Sequence, residues 1–84
     1  MRYTVVWTKL ALNALARLWT LADDRQAVSN SADRIERLLK TDPERKGKPA
    51  RLSFSILEDD PLSVLYTVDP GDRMVKVISV RRNK

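Results

Sequence analysis

The chain has no cysteine and no histidine among its 84 residues. The absence of cysteine excludes disulfide bonds and thiolate chemistry, and it fits a reducing compartment, so we expect a cytoplasmic protein. The absence of histidine removes the most common general base and the most common metal ligand. The sequence therefore predicts no cofactor and no metal site.

Long hydrophobic runs are also missing. The segment from Met1 to Trp7 is too short and too rich in β-branched residues for a signal peptide, and no apolar run approaches about 18 residues. We therefore expect no membrane partner. With 43% hydrophobic and 32% charged residues, the composition is that of a globular protein, and the length predicts one domain over residues 1–84.

The charge is unbalanced, with 16 Lys and Arg residues against 11 Asp and Glu residues, which gives a net charge of +5. A charge of this sign favours polyanionic partners such as nucleic acid, the ribosome or an acidic protein segment. The alternative is that the charge only keeps a small protein in solution. Composition leaves both interpretations open.

The strongest pattern lies in the last third of the chain. Two runs rich in β-branched and aliphatic residues are separated by the turn-forming residues Asp69-Pro70-Gly71-Asp72, which predicts a β-hairpin. Because an isolated hairpin is marginal in water, we expect this one at the centre of a larger sheet. Strict alternation divides the second run into two faces, one with Met74, Ile78 and Val80 and the other with Arg73, Val75, Val77, Ser79 and Arg81.

The first half of the chain predicts another strand and a helical layer. A strand is expected from Arg2 to Trp7, then a helix capped by Thr8 from Lys9 to about Ala22, and a second helix from about Arg25 to Lys40. The short link between them predicts an antiparallel helical hairpin. Its core-facing residues are expected to be Leu15, Leu18, Trp19, Ala22, Val28, Ala32, Ile35, Leu38 and Leu39. Excess apolar surface beside them would mark an interface with another protein or with a second copy of the chain.

The segment between the second helix and the hairpin begins at Pro43, which cannot continue a helix. A basic loop over 44–49, a half-buried strand over 50–57 and an acidic turn over 58–61 are predicted. The carboxylates of this acidic turn could bind a metal ion. Because no histidine is near, we instead expect an exposed turn without a metal. The order strand, helix, helix and three strands predicts an α+β fold, with a helical hairpin packed on a mainly antiparallel four-stranded sheet.

Four segments of the chain, taken in order, match the pattern of a known family. Residues 3–8, followed by an Ala- and Leu-rich helix, match the first strand and helix of the family. Residues 33–39, followed by Asp42-Pro43, match its second helix and the end of that helix. Residues 62–69 match its third strand and residues 75–82 its fourth. This ordered set covers nearly the whole chain and resembles the RelE/ParE superfamily of type II toxin–antitoxin toxins.

The resemblance implies one of two targets. One branch of the superfamily cleaves mRNA in the ribosomal A site, and the other poisons DNA gyrase. Both are bound and silenced by an antitoxin segment, so a cognate antitoxin is the expected partner. A third possibility is a relative that has lost toxicity and acts as a protein-binding module.

The resemblance also implies site residues. Arg51, Arg81 and Arg82 are the catalytic candidates, since guanidinium groups match phosphate and can stabilise a phosphorane. The nucleic-acid-binding candidates are Lys46, Lys48, Arg51, Arg81, Arg82 and Lys84; the alternative is that these side chains are a solvated edge.

The chain departs from the pattern of the ribonuclease branch at two places. Ser63 stands where many members have arginine, and no histidine or tyrosine follows the fourth strand. The catalytic set is incomplete because no residue is an evident general base or acid. The sequence leaves enzymatic activity open. The missing histidine and tyrosine favour the gyrase branch, but the first expectation is a toxin that acts on translation as a ribosome-dependent mRNA endoribonuclease, with gyrase inhibition as the alternative.

Overall fold

The computed structural model describes residues 2–49 and 53–83, and at Arg45 and Lys46 it describes the backbone only. Two main helices lie on one face of a five-stranded sheet, which confirms the predicted α+β class. The elements in chain order are β1 (Thr4–Trp7), α1 (Lys9–Leu21), α2 (Arg25–Thr41), α3 (Pro43–Lys46), β2 (Lys48–Pro49), β3 (Phe54–Asp59), β4 (Leu62–Asp69) and β5 (Met74–Arg82). The sheet has one strand more than expected because the two-residue strand β2 lies in the segment predicted as a basic loop. The short helix α3 precedes β2 in the same region.

The sheet has the strand order β1-β5-β4-β3-β2, so the predicted hairpin of β4 and β5 lies at its centre. β1 runs parallel to β5, and the other neighbouring strands are antiparallel. The two helices form the crossover between β1 and the rest of the sheet, as a parallel pair requires. No helix in the described ranges is long and apolar enough to cross a membrane.

A β-bulge in the central hairpin decides which residues of β5 face the helices. Leu65 pairs with Ser79, whereas the next residue, Tyr66, pairs with Val77, so Ile78 is an extra residue without its own partner. The expected strict alternation is therefore wrong beyond this point. The buried residues of β5 are Val75, Val77 and Val80, each at most 5% exposed.

Both main helices begin at side-chain caps. The Thr8 hydroxyl accepts a hydrogen bond from the Ala11 amide, as the sequence predicts, and the Asp24 carboxylate accepts one from the Ala27 amide. Such caps contribute about 1 kcal/mol each because they satisfy amides that have no partner within the helix. The helix boundaries agree with the prediction to within one residue.

The core lies between the helical layer and the sheet. Its buried side chains are Ala11, Val28, Ile35, Leu39, Leu57, Leu62, Val64, Tyr66, Val75, Val77 and Val80. Trp19 was expected in this core, but 42% of it is exposed. Its ring lies at the outer side of the hairpin, where its Nε1 donates to Ser29 and the Arg25 guanidinium stacks 4.8 Å from the ring centroid.

β3 extends two residues further than predicted. Glu58 and Asp59, expected in an acidic turn, pair with Ser63 and Leu62 in β4. Asp59 is held at the strand end by Arg34, whose Nη2 lies 2.6 Å from its Oδ1. Because α2 supplies this ion pair, the strand continues through residues that local propensity assigns to a turn.

Candidate phosphate-binding site on the open face of the sheet

The face of the sheet opposite the helices is called the open face here. Cross-strand pairing places two rows of side chains on it, one with Lys48, Ile56, Leu65 and Ser79, and the next with Glu58, Ser63 and Arg81. A further row contains Phe54, Thr67 and Lys76. Lys48, Lys76 and Arg81 are exposed and form no ion pair with any described residue. Within residues 2–49 and 53–83, the open face therefore presents three available cations.

A small cavity of about 140 Å³ opens on this face between β4 and β5. Its polar lining consists of Arg81 and two hydroxyl residues, Ser63 and Ser79, and its apolar lining consists of Ile56, Val64 and Leu65. We call it the serine–arginine pocket. Ser63 is only 5% exposed. Because one guanidinium and two hydroxyls supply several hydrogen-bond donors, the pocket suits the oxygen atoms of a phosphate group.

The bulge brings these donors together. If β5 alternated strictly through Ile78 without a bulge, Ser79 and Arg81 would share the face of Val75 and Val77, which is buried under the helices. With the bulge, both side chains stand on the open face. A bulge that redirects a side chain in this way is a common feature beside functional sites.

Arg82 lies on the other side of the sheet, since neighbouring strand residues point to opposite faces. It lines a separate, largely apolar cavity of about 270 Å³ with Leu18, Asp23, Val28 and Pro61, at the tip of the helical hairpin. The two arginines that the sequence analysis placed in one catalytic set therefore do not converge.

The remaining predicted site residues are only partly described. Arg51 and Lys84 lie outside the described residues, as does the side chain of Lys46. Lys48 lies on the open face, in the same row as the pocket residues Ile56, Leu65 and Ser79. In the described ranges, no cluster of carboxylates could hold a metal ion.

Glu58 and Ser63 are site residues that the sequence analysis did not select. Glu58 stands on the open face next to Ser63, because β3 continues past Leu57. Apolar alternation gave no signal for this extension, because Phe54 and Ile56 lie on the open face whereas Ser55 and Asp59 lie on the helix side.

Tyr66 anchors the segment that carries Lys48. Tyr66 is fully buried, and its hydroxyl donates a 2.6 Å hydrogen bond to the Pro43 carbonyl at the start of α3. Burial raises the pKa of Tyr66 above its ordinary value, because the phenolate would be poorly solvated. Gly47, just before β2, lies directly against the phenol ring. This buried contact sets the position of Lys48 relative to the pocket.

Replacing Gly47 by alanine is expected to destabilise the protein by about 1–3 kcal/mol, the usual cost of overpacking. The added Cβ would overlap the Tyr66 hydroxyl oxygen and lie 2.7 Å from Cζ. Urea unfolding of Gly47→Ala measures this cost. Gly71→Ala is the control, because its Cβ would come no closer than 3.4 Å to another residue. Equal losses in the two variants would contradict the proposed contact.

A second feature lies on the helical layer. An apolar groove of about 580 Å³ runs between α1 and α2, lined by Leu12, Leu15, Trp19, Val28 and Ala32 among others. Leu12 is 51% exposed at its edge, and Leu10 and Leu21 of the same helix are 68% and 74% exposed. Exposed apolar surface of this kind is typical of a protein interface.

Solved structures of other proteins share this fold, whereas sequence comparison finds no relative. No family model and no curated protein sequence matches the chain. Among solved structures, the RelBE2 toxin–antitoxin complex from Mycobacterium tuberculosis aligns with a TM-score of 0.83 at 22% identity, over 99% of this chain and 100% of that chain.

Two further structures agree with this alignment. The chromosomal ParDE system from P. aeruginosa aligns with a TM-score of 0.76 at 16% identity, over 99% of this chain and 98% of that chain. The intact E. coli RelBE complex aligns with a TM-score of 0.67 at 15% identity, over 98% of both chains. These alignments confirm the resemblance noted in the sequence: the chain has the fold of the RelE/ParE superfamily.

Proposed function

We propose that the protein is the toxin of a type II toxin–antitoxin system, and that it acts on translation by cleaving mRNA bound to the ribosome. The observation that carries this proposal is the serine–arginine pocket on the open face, with Lys48 in one of the two rows that form it and Lys76 in the neighbouring row. A phosphodiester needs such donors and cations, whereas a surface that binds only protein does not need them grouped around a hydroxyl-lined cavity.

Each group has a role in this reaction. The Arg81 guanidinium holds the scissile phosphate and stabilises the negative charge of the phosphorane. This interaction is stronger in the transition state than in the ground state, because the charge on the phosphate oxygens is then larger. The hydroxyls of Ser63 and Ser79 donate further hydrogen bonds. Lys48 and Lys76 bind neighbouring phosphates as point charges. The ribosome supplies the orientation of the mRNA, which contributes much of the rate of a phosphoryl transfer.

We assign the apolar groove between α1 and α2 to a cognate antitoxin. The solved structures with this fold include toxin–antitoxin complexes from M. tuberculosis and E. coli. The groove is lined mainly by apolar side chains, which suits the apolar face of an amphipathic helix. Because the groove and the pocket lie on opposite layers, an antitoxin in the groove alone would leave the open face accessible; silencing therefore requires a segment that also reaches the open face.

DNA gyrase is the second candidate target. Ser63 stands at a position where many ribonucleases of the superfamily have arginine, and Arg82 faces away from the pocket. Arg81 is consequently the one guanidinium that the described residues contribute to the pocket. A protein that inhibits gyrase by binding needs no catalytic set, and the ParDE structure has the same fold.

Induced expression in a bacterium tests the proposal and separates the two targets. Growth is followed together with pulse labelling of protein and of DNA. We expect protein synthesis to collapse first, with cleaved mRNA recovered from ribosomes. A selective loss of DNA synthesis would instead support gyrase. Unimpaired growth with soluble, folded protein would contradict both toxic activities and leave a binding module.

A further inference from the structure

We infer that Glu58 is the proton acceptor of the cleavage site: its carboxylate takes the proton of the attacking 2′-hydroxyl while Arg81 holds the phosphate. This inference rests on the proposed ribonuclease function and supplies the base that the sequence analysis did not find.

The geometry that carries the inference is one row of the sheet. Glu58 pairs with Ser63, and Ser63 pairs with Arg81, so the three side chains stand side by side on the open face. Neighbouring strands lie about 4.8 Å apart, which puts the Cα atoms of Glu58 and Arg81 about 10 Å from each other. Both outer residues are exposed, whereas the small Ser63 between them is 5% exposed.

Glu58 is the β3 neighbour of Ser63, at the side of the serine–arginine pocket opposite Arg81. No ion pair joins Glu58 to Arg81 among the contacts of the described residues. A phosphate seated on the Ser63 and Ser79 hydroxyls would therefore have the guanidinium on one side and the carboxylate on the other. This is the arrangement that general base catalysis requires, with the base within reach of the nucleophile and the cation on the phosphate.

The other carboxylates of the acidic sequence are already engaged. Asp59 receives hydrogen bonds from Arg34 and from the Ser31 hydroxyl, and its side chain lies on the helix side. Asp60 accepts a 2.6 Å hydrogen bond from the Asn83 amide. Glu58 makes no hydrogen bond to a described residue. It is the one member of the acidic run that is both on the open face and available.

The positive side chains around Glu58 compensate for its charge. Lys48 and Glu58 line a common cavity of about 400 Å³ at the β2 side, and Arg81 stands two strands away on the other side. A carboxylate between two cations repels an incoming phosphate less than an isolated carboxylate would. The site can therefore hold a base and still bind RNA.

The step balances without an added reagent. The 2′-oxygen attacks phosphorus as its proton passes to the Glu58 carboxylate, and the bond from phosphorus to the 5′-oxygen breaks. The products are a 2′,3′-cyclic phosphate and a 5′-oxygen, which takes a proton from water to become a hydroxyl. The resulting hydroxide recovers the proton from Glu58, so water and enzyme return to their starting states.

The test compares Glu58→Gln with the wild-type protein in single-turnover cleavage of a short mRNA on 70S ribosomes. We expect the maximal rate constant to fall by about 100-fold or more, since a general base contributes about 10²–10⁴-fold. The dissociation constant should stay the same or decrease, because glutamine removes repulsion from the phosphate. Asp23→Asn is the matched control: it removes one negative charge from an exposed position between α1 and α2, on the helical layer.

Each outcome has a distinct meaning. If the wild-type protein cleaves mRNA and Glu58→Gln cleaves it at the same rate, the role of Glu58 is overturned and the proposed function stands. If Glu58→Gln binds mRNA more weakly and unfolds at a lower temperature, Glu58 has a structural role, and its role as proton acceptor is also overturned. A wild-type protein that cleaves no mRNA on the ribosome would overturn the proposed function itself, and with it the inference.

Discussion

Arg81→Ala is expected to lower the rate constant of ribosome-dependent mRNA cleavage by about 10²–10³-fold, the loss typical of removing one donor that stabilises a developing oxyanion. Arg81 is the one guanidinium that the described residues contribute to the serine–arginine pocket, so we expect its removal to have a large effect. The effect should appear mainly in the maximal rate, because the charge on the phosphate oxygens is largest in the transition state. Single-turnover cleavage on 70S ribosomes measures it.

Arg82→Ala is the matched control for this experiment. It removes the same charge from the next residue, but the side chain lies on the helix side of the sheet. We expect its cleavage rate to remain close to that of the wild type. Arg81→Lys should recover only part of the activity, since lysine is a point charge without the bidentate geometry of guanidinium. Equal losses in Arg81→Ala and Arg82→Ala would contradict the division of the two arginines between the faces.

Ile35→Ala is expected to produce the largest loss of stability, about 2–5 kcal/mol in the free energy of unfolding. Ile35 is fully buried in the middle of α2, where it joins the helical layer to the sheet. Truncation removes its transfer free energy and leaves a cavity. Since a native domain is stable by only about 5–15 kcal/mol, the variant should be partly unfolded under mild denaturing conditions. Urea unfolding followed by circular dichroism gives the difference.

Leu10→Ala is the control for the stability experiment. Leu10 lies in α1 and is 68% exposed, so its truncation should change the free energy of unfolding by no more than about 0.5 kcal/mol. A similar loss in both variants would mean that the core does not lie where the buried residues place it. Ile35→Ala should also weaken toxicity through a lower amount of folded protein, whereas Arg81→Ala should do so without any change in unfolding.

The sequence by itself determined most of the architecture. Thr8 and the apolar spacing after it predict α1, and Pro43 predicts the end of α2, because caps and proline act through neighbouring residues only. The β4–β5 hairpin follows from two β-branched runs around Asp69-Pro70-Gly71-Asp72. These are local effects, and the α+β class follows from the order of the elements.

The site was decided by tertiary structure. The bulge at Ile78 depends on how β5 fits against β4 and the helices, and a shift of one residue moves every later side chain to the other face. For that reason Arg81 stands in the pocket while Arg82 does not, although the sequence analysis treated them alike. Likewise, Glu58 joins the site because Arg34 of α2 holds Asp59 and keeps β3 extended. Local sequence carries propensity, but strand register and face are set by contacts between residues far apart in the chain.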